Sequence, residues 1–207
     1  MVETVAEVAK HFEWNGPIGC GFPAVVKYGT VSTAANIDHA WIGVDAAEMI
    51  SKATGCSPVT IGNDADVAGL AEVTFGAGKG KDGLILMITI GTGIGTALIW
   101  NGNLLPNTEL GHIEVKGMDA EDYASEAVRE REGLSWEKWT RRINRYLTAM
   151  ENLFWPDLII VGGGVSKKAE RFFPQLALRT PIVPAALLNE AGIVGAALNA
   201  SHIQKRG

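Results

Sequence analysis

The chain has 207 residues, 47% of them apolar, with 25 Gly and 8 Pro, which suits one or two globular domains with a sizeable core and excludes intrinsic disorder. Its 18 basic and 23 acidic residues leave a net charge of -5 with no long Lys/Arg run, so nucleic acid is not an expected partner. Cys20 and Cys56, the 2 cysteines, are too few for a disulfide scaffold or a four-cysteine zinc site, and a reducing cytoplasm is the expected compartment. No stretch approaches about 18 apolar residues, so no membrane span is expected. The acidic start, without a basic region before an apolar core, does not read as a signal peptide.

In chain order, the opening residues read as a helix already under way, with Val2, Val5, Val8 and Ala9 on one face. Residues 18–22 read as a buried strand after Asn15-Gly16-Pro17. Tyr28-Gly29, between Val25-Val26 and residues 30–34, predicts a hairpin. A helix is expected over 45–53, started by Asp45 and stopped near Gly55, then a strand over 58–61 and a helix over 64–75. The apolar run 84–90 reads as a buried central strand, and 96–100 as a second strand turned by Asn101-Gly102. Amphipathic helices are expected over 119–131 and 135–154, the second opened by Ser135 and ended by Pro156. A strand over 157–161 runs into Gly162-Gly163-Gly164, with Ser166 capping a short helix beyond. Another apolar run covers 180–183, and a Gly/Ala-rich helix 189–200 closes the chain. Mixed strands and helices with glycine-rich turns define the α/β class.

Four segments carry candidate chemistry. Gly62-Asn63-Asp64-Ala65-Asp66 sets polar side chains at the carboxyl end of a strand, where open α/β sheets place ligands; a plain helix N-cap by Asn63 or Asp64 is the alternative. Gly91-Thr92-Gly93-Ile94-Gly95 is a strand–glycine turn–strand unit whose backbone N–H groups can approach a phosphate, with Thr92 adding a hydroxyl; a tight hairpin is the alternative. Glu109-Leu110-Gly111-His112 brings a carboxylate and an imidazole toward one polar ligand, against a purely structural histidine. No Cys or second His lies nearby to make zinc. Gly162-Gly163-Gly164 runs from a strand into a helix N-terminus, which suits an anion, although glycines also serve close packing.

Taken in order, these four segments resemble the ROK family of sugar kinases over nearly the whole chain. The resemblance implies an actin-like, hexokinase-type ATPase fold of two lobes with ribonuclease H-like topology: a partial small lobe over 1–66 and a large lobe over 67–207, the C-terminal helix packing back on the small one. Asn63-Asp64-Ala65-Asp66 looks like the family's Asn-Asp-Ala-Asn catalytic segment, Gly91 to Gly95 like its second phosphate loop, Glu109 to His112 like its sugar-binding Glu-x-Gly-His, and Gly162 to Gly164 like its adenosine or distal phosphate loop. The branch it is most similar to uses polyphosphate as well as ATP to phosphorylate glucose. The cysteine-rich zinc motif of many members is replaced here by Gly117-Met118-Asp119-Ala120-Glu121, and Arg129-Glu130-Arg131-Glu132-Gly133-Leu134-Ser135-Trp136, the segment 179–185 and the segment 189–197 look characteristic of that branch.

By this resemblance Asp64 is the general base for the sugar 6-hydroxyl. Asn36, Asn63, Asp64, Glu109, His112 and Glu121 bind glucose, Thr92 and Gly93 face the transferred phosphoryl group, and Gly162, Gly163 and Gly164 hold the donor. It implies Mg²⁺ with ATP or polyphosphate, no protein metal site and no zinc, and a cytoplasmic homodimer, with mannose left open as a second acceptor. A polyphosphate track needs several cations on one surface; Lys79, Lys81, Lys167, Lys168, Arg171 and the Arg141, Arg142, Arg145 face are the candidates. The family's opening Asp-x-Gly-Gly-Thr loop has no counterpart, and Met1 aligns inside the family's first long helix. The expectation is therefore an incomplete small lobe, with a catalytically impaired sugar-binding module as the alternative to an active kinase. A ROK-type transcriptional repressor is disfavoured by the net charge and by the lack of a helix-turn-helix segment before the kinase-like part.

Overall fold

A computed structural model describes residues 1–35 and 37–204. They form two compact units, one of the described residues up to 71 with those from 190 onward and one of residues 72–189. The boundary between them falls within a helix, and the last helix is grouped with the first unit.

The first unit runs α1 (Val2–His11), β1 (Ile18–Phe22), β2 (Val26–Lys27), β3 (Thr30–Val31), α2 (Ala46–Thr54), β4 (Val59–Asn63) and the start of α3 (Asp64–Phe75). In α1, Val2 and Val5 pack against a core of Phe22, Ala24, Val26, Val31, Ala46, Ile50 and Ile61, and Ala9 is buried. Val8 is exposed, so the apolar face expected for this helix is only partly used. Strands β1 and β4 pair in parallel, Ile18 opposite Val59 through Phe22 opposite Asn63. Strands β2 and β3 form the expected hairpin, with Tyr28 and Gly29 both at positive φ as a tight two-residue turn requires. The Asp45 carboxylate accepts from Glu48 N–H at 2.8 Å to start α2, and Gly55 ends it in the left-handed conformation. The last helix, Ala191–Gln204, lies on β1 and β4.

The second unit is built on five strands: β5 (Leu84–Ile90), β6 (Ile94–Trp100), β7 (Asn103–Leu105), then β10 (Leu158–Gly162) and β11 (Ile182–Pro184) after an excursion. Their spatial order is β11-β10-β5-β6-β7; β10 is parallel to both neighbours, while β5, β6 and β7 form an antiparallel meander. The excursion carries β8 (Glu114–Val115), β9 (Met118–Asp119), α4 (Ala120–Ala124), α5 (Glu126–Arg131) and α6 (Trp136–Phe154). Trp139, Ile143, Tyr146, Leu147 and Met150 of α6 are fully buried in one core with Leu86, Ile88, Ile159 and Val161 of the sheet. Residues of this type bury roughly 1.5–3 kcal/mol each.

Two elements differ from expectation. The single helix expected over 119–131 is two, split at Ser125, which is extended and accepts at its hydroxyl from Val128 N–H to start α5. The buried Trp139 indole N–H donates to the Ala124 carbonyl at 2.9 Å and, at 3.1 Å, to the Ser125 carbonyl, which also accepts from Arg129 N–H at 3.2 Å. Helix α6 ends at Phe154 as expected, with Trp155 as a left-handed cap one residue before Pro156. After β10 comes a 3-10 stretch, Gly164–Arg171, in which Ser166 donates its hydroxyl back to the Gly163 carbonyl at 2.8 Å instead of capping a helix. Late in α3, Glu72 is fully buried, and its carboxylate accepts from the N–H groups of Ala77 (2.7 Å), Ala186 (3.1 Å) and Leu187 (2.7 Å). One side chain thereby closes two distant loops of the second unit.

Candidate active site

In the first unit the chain turns from β4 into α3 at Asn63-Asp64. Asn63 is buried; its Oδ1 accepts from Ala65 N–H at 2.9 Å and Asp66 N–H at 3.2 Å, and its Nδ2 donates to the Ala24 carbonyl at 3.2 Å. It is therefore the cap of α3, the role the sequence left as an alternative. Asp64 receives one short bond, from Ala65 N–H at 2.8 Å, and keeps a solvent-facing surface. The protein around its carboxylate nevertheless removes enough water to raise its pKa above the usual aspartate range, against the lowering effect of the backbone N–H bonds. A carboxylate held by a cap, open on one side and raised in pKa, is suited to accept a proton.

In the second unit the two glycine turns sit at adjacent strand ends. Ile90 pairs with Ile94 across the β5–β6 hairpin, leaving Gly91-Thr92-Gly93 as the loop, with Gly91 N–H donating to Gly93 O at 3.0 Å and Thr92 exposed. Gly163 has φ +76, and a Cβ there would stand 2.3 Å from the Ile90 carbonyl oxygen, so both conformation and space demand glycine. The triple glycine thus lets the end of β10 press against the end of β5, beside the first turn.

The Glu109–His112 segment is fixed to β6 by the buried Thr96. Its hydroxyl bonds the Thr108 carbonyl and accepts from Leu110 N–H at 3.1 Å. The His112 Nδ1 meets Asp119 Oδ2 at 2.9 Å, and Nε2 lies 3.7 Å from Glu109 Oε2. Partial burial pulls the imidazole pKa down, but the Asp119 hydrogen bond and the charges of Asp119, Glu121 and Glu109 outweigh it, so the net shift is upward. The other Asp119 oxygen accepts from Glu121 N–H at 2.9 Å, and Glu121 Oε2 accepts from Ile94 N–H at 2.8 Å, on the glycine turn itself. A continuous chain therefore runs from the turn through Glu121 and Asp119 to His112 and Glu109.

Asp119 is the residue the sequence reading missed. Its only signal was an aspartate just ahead of a helix start, which a cap alone explains, and Asp119 does cap α4. Asn36, a proposed sugar ligand, lies outside the described residues. Of the candidate cations, Arg142 is paired with Glu132 and stacks on Tyr123, whose hydroxyl receives Arg145; Arg141 is paired with Glu137. That face is engaged by the protein itself. Lys79 and Lys81 are exposed. Among the described residues no group of three or more His, Cys, Asp or Glu side chains could hold a metal ion, and no helix is long and apolar enough to cross a membrane.

Two α/β units, with phosphate-suited glycine turns at strand ends and an acid–imidazole cluster wired to one of them, define a sugar kinase of the actin-like ATPase fold. The chain belongs to the ROK family, which it matches over residues 1–130. It is 52% identical to the polyphosphate glucokinase of Mycobacterium tuberculosis over 198 residues, 96% of this chain and 75% of that protein. Among solved structures it is similar to the inorganic polyphosphate/ATP-glucomannokinase of Arthrobacter sp. strain KM, with a TM-score of 0.92 and 49% identity over 98% of this chain and 81% of that one. A ROK family glucokinase from Streptomyces griseus, solved with glucose and AMPPNP, shares the fold at a TM-score of 0.83 and 24% identity, over 97% of this chain and 87% of that one.

Proposed function

We propose that this chain is a kinase that transfers a phosphoryl group from polyphosphate or ATP to the 6-hydroxyl of glucose. The observation that carries the reading is the bonded chain from Ile94 N–H through Glu121 and Asp119 to His112, which ties a phosphate-type turn to groups that bind hydroxyls. Carboxylates accept from sugar hydroxyls while imidazole donates or accepts, so Glu109, His112 and Glu121 orient the ring. The peptide N–H groups around Thr92 and Gly93, with the Thr92 hydroxyl, stabilise charge on the transferred group. Gly162, Gly163 and Gly164 hold the rest of the donor. Asn63 caps α3 and offers its amide to the sugar, and Asp64 takes the hydroxyl proton.

Phosphoryl transfer asks little covalent chemistry of a protein; positioning and charge stabilisation do most of the work. Asp64 therefore needs only to orient the attacking oxygen and accept its proton as the new bond forms. Mg²⁺ enters as part of the substrate, carried on the donor phosphates. Two unpaired thiols, Cys20 and Cys56, suit a reducing cytoplasm, and the family likeness adds a homodimer.

The test is glucose 6-phosphate formation by the purified chain with MgATP and with polyphosphate, beside calorimetric titration with glucose. Turnover with either donor is expected. Glucose binding without turnover from both would instead make the chain a sugar-binding module.

A further inference from the structure

The indole of Trp136, at the start of α6, is ringed by three cations. The Arg129 guanidinium carbon lies 4.5 Å from the ring centroid, that of Arg171 5.6 Å, and the Lys168 ammonium 5.8 Å. Bringing like charges together is costly unless something offsets it. The aromatic face offsets part. Glu126, whose side chain is only 13% exposed, offsets more: its Oε1 lies 3.2 Å from Lys168 Nζ and 3.8 Å from Arg129 Nη2. Glu130, 3.2 Å from Arg129, and Glu170, 3.9 Å from Arg171, are 64% and 72% exposed, and solvent screens them. Lys168 and Arg129 thus share one sheltered anion, Arg171 has only an exposed one, and no step of the transfer described above uses the three cations.

The position of Glu126 gives the cluster a meaning. Helix α5 begins against the first glycine turn, with Ala127 N–H donating to Gly91 O at 3.1 Å. A Cβ on Gly164 of the second turn would stand 3.1 Å from Glu126 Oε2. Glu126 therefore lies where the two glycine turns meet, and the cations extend outward from there. A donor held at the turns would meet them next.

We propose that Lys168, Arg171 and Arg129 around Trp136 form the subsite for the distal phosphates of an inorganic polyphosphate donor. This rests on the kinase reading above. A polyphosphate chain carries a negative charge on every residue beyond the reacting end, which matches a run of cations. A nucleotide presents a neutral ribose and base there, and the indole face on which a base would stack is already taken by guanidinium. Glu126 holds Lys168 and Arg129 in the arrangement an oxyanion needs before the donor arrives. Because the same carboxylate competes with the donor, the subsite is shallow in affinity and sensitive to salt. The forked guanidinium groups and the point charge of the lysine tolerate a repeating anion without fixing its register.

The test uses the whole chain, the double variant Lys168→Ala/Arg171→Ala and the single variant Arg171→Glu. KM is measured with long-chain polyphosphate and with MgATP as separate donors, and polyphosphate binding is titrated directly at low and high salt. The expected result is a rise of about tenfold or more in KM and Kd for polyphosphate, a flatter salt dependence, and a KM for ATP within about twofold. Equal losses with both donors, or unchanged polyphosphate binding, overturn the proposal. Arg171→Glu removes a contact to an exposed glutamate and one cation–ring contact to Trp136, both at the surface, so it decides the matter if the double variant folds poorly. A parent chain that binds polyphosphate at this cluster yet phosphorylates glucose with neither donor overturns the kinase reading and leaves the cluster as a polyanion site. A parent chain that binds no polyphosphate overturns the subsite whatever its activity with ATP.

Discussion

Asp64 must be ionised to act as a base, and its surroundings set the pH at which it is. Desolvation raises its carboxyl, so the acid limb of kcat is expected at a higher pH than an ordinary aspartate would give. Asp64→Asn keeps the shape and one hydrogen bond but takes no proton. Its kcat should fall by about 10²-fold or more while glucose affinity by calorimetry changes little; a near-normal kcat would move the proton elsewhere. His112 is shifted upward by its carboxylates, so the stability it contributes is fully present below its ordinary 6.5 and is lost as pH rises through its higher folded value. Asp119→Asn removes the hydrogen bond and the nearest charge, and the His112 titration followed by NMR should move to lower pH. An unmoved midpoint would show that Asp119 does not set it. At this scale the sequence announced Asp64, Glu109 and His112 by residue type and spacing. It was silent on Asp119, because nothing in a lone aspartate says that its second oxygen reaches seven residues back.

Elements with their own punctuation were legible. Gly55 stops α2, Asp45 starts it, Tyr28-Gly29 turns β2 into β3, and the apolar run Leu84–Ile90 is the central strand. The break at Ser125 was not, because part of what supports it is the distant Trp139 indole, which bonds the Ala124 and Ser125 carbonyls. Nor was the hold of α6 on the segment before β11. There the Glu151 carboxylate, 4% exposed, accepts from the N–H groups of Arg179 and Thr180, both at 2.6 Å, with the Arg179 guanidinium 3.4 Å away. Burial alone would raise this carboxyl, but the Thr180 and Arg179 contacts outweigh it and hold it low. Its stabilisation is therefore present above the ordinary glutamate pKa and lost as pH falls through the lower folded value. Glu151→Ala strands two buried N–H groups at about 1–3 kcal/mol each. Urea unfolding should show a loss in that range at pH 7 that shrinks toward strongly acid pH; a loss independent of pH would assign the effect to packing.

For the whole molecule, the α/β class and the order of the motifs could be read from the chain, since strand-end glycines and polar turns are local signals. Other features carry no local mark: α3 continues without punctuation past residue 66, and the seat of the Gly/Ala-rich final helix on β1 and β4 is not written in its own residues. Substrate should act on the molecule as a whole by mass action. Glucose at about 100 times its Kd adds about 2.7 kcal/mol to the folded state, and thermal unfolding should rise accordingly. Glu109→Gln should blunt the rise without lowering the sugar-free midpoint; a lower midpoint with no sugar would make Glu109 a structural residue.

Glu72 has a consequence outside the reaction. Its carboxylate closes loops whose ends lie at Ala77 and at Ala186-Leu187, and it is sealed from solvent. Glu72→Ala takes the shared acceptor from those N–H groups and unties both loops, so local opening becomes frequent. Such a variant should lose little per surviving molecule and much in number: a cell expressing it would hold fewer copies, cleared by proteolysis, each turning over at close to the ordinary rate. Immunoblotting of lysates beside active-site-normalised kcat separates the two, and full abundance with a depressed kcat would place Glu72 in the reaction after all.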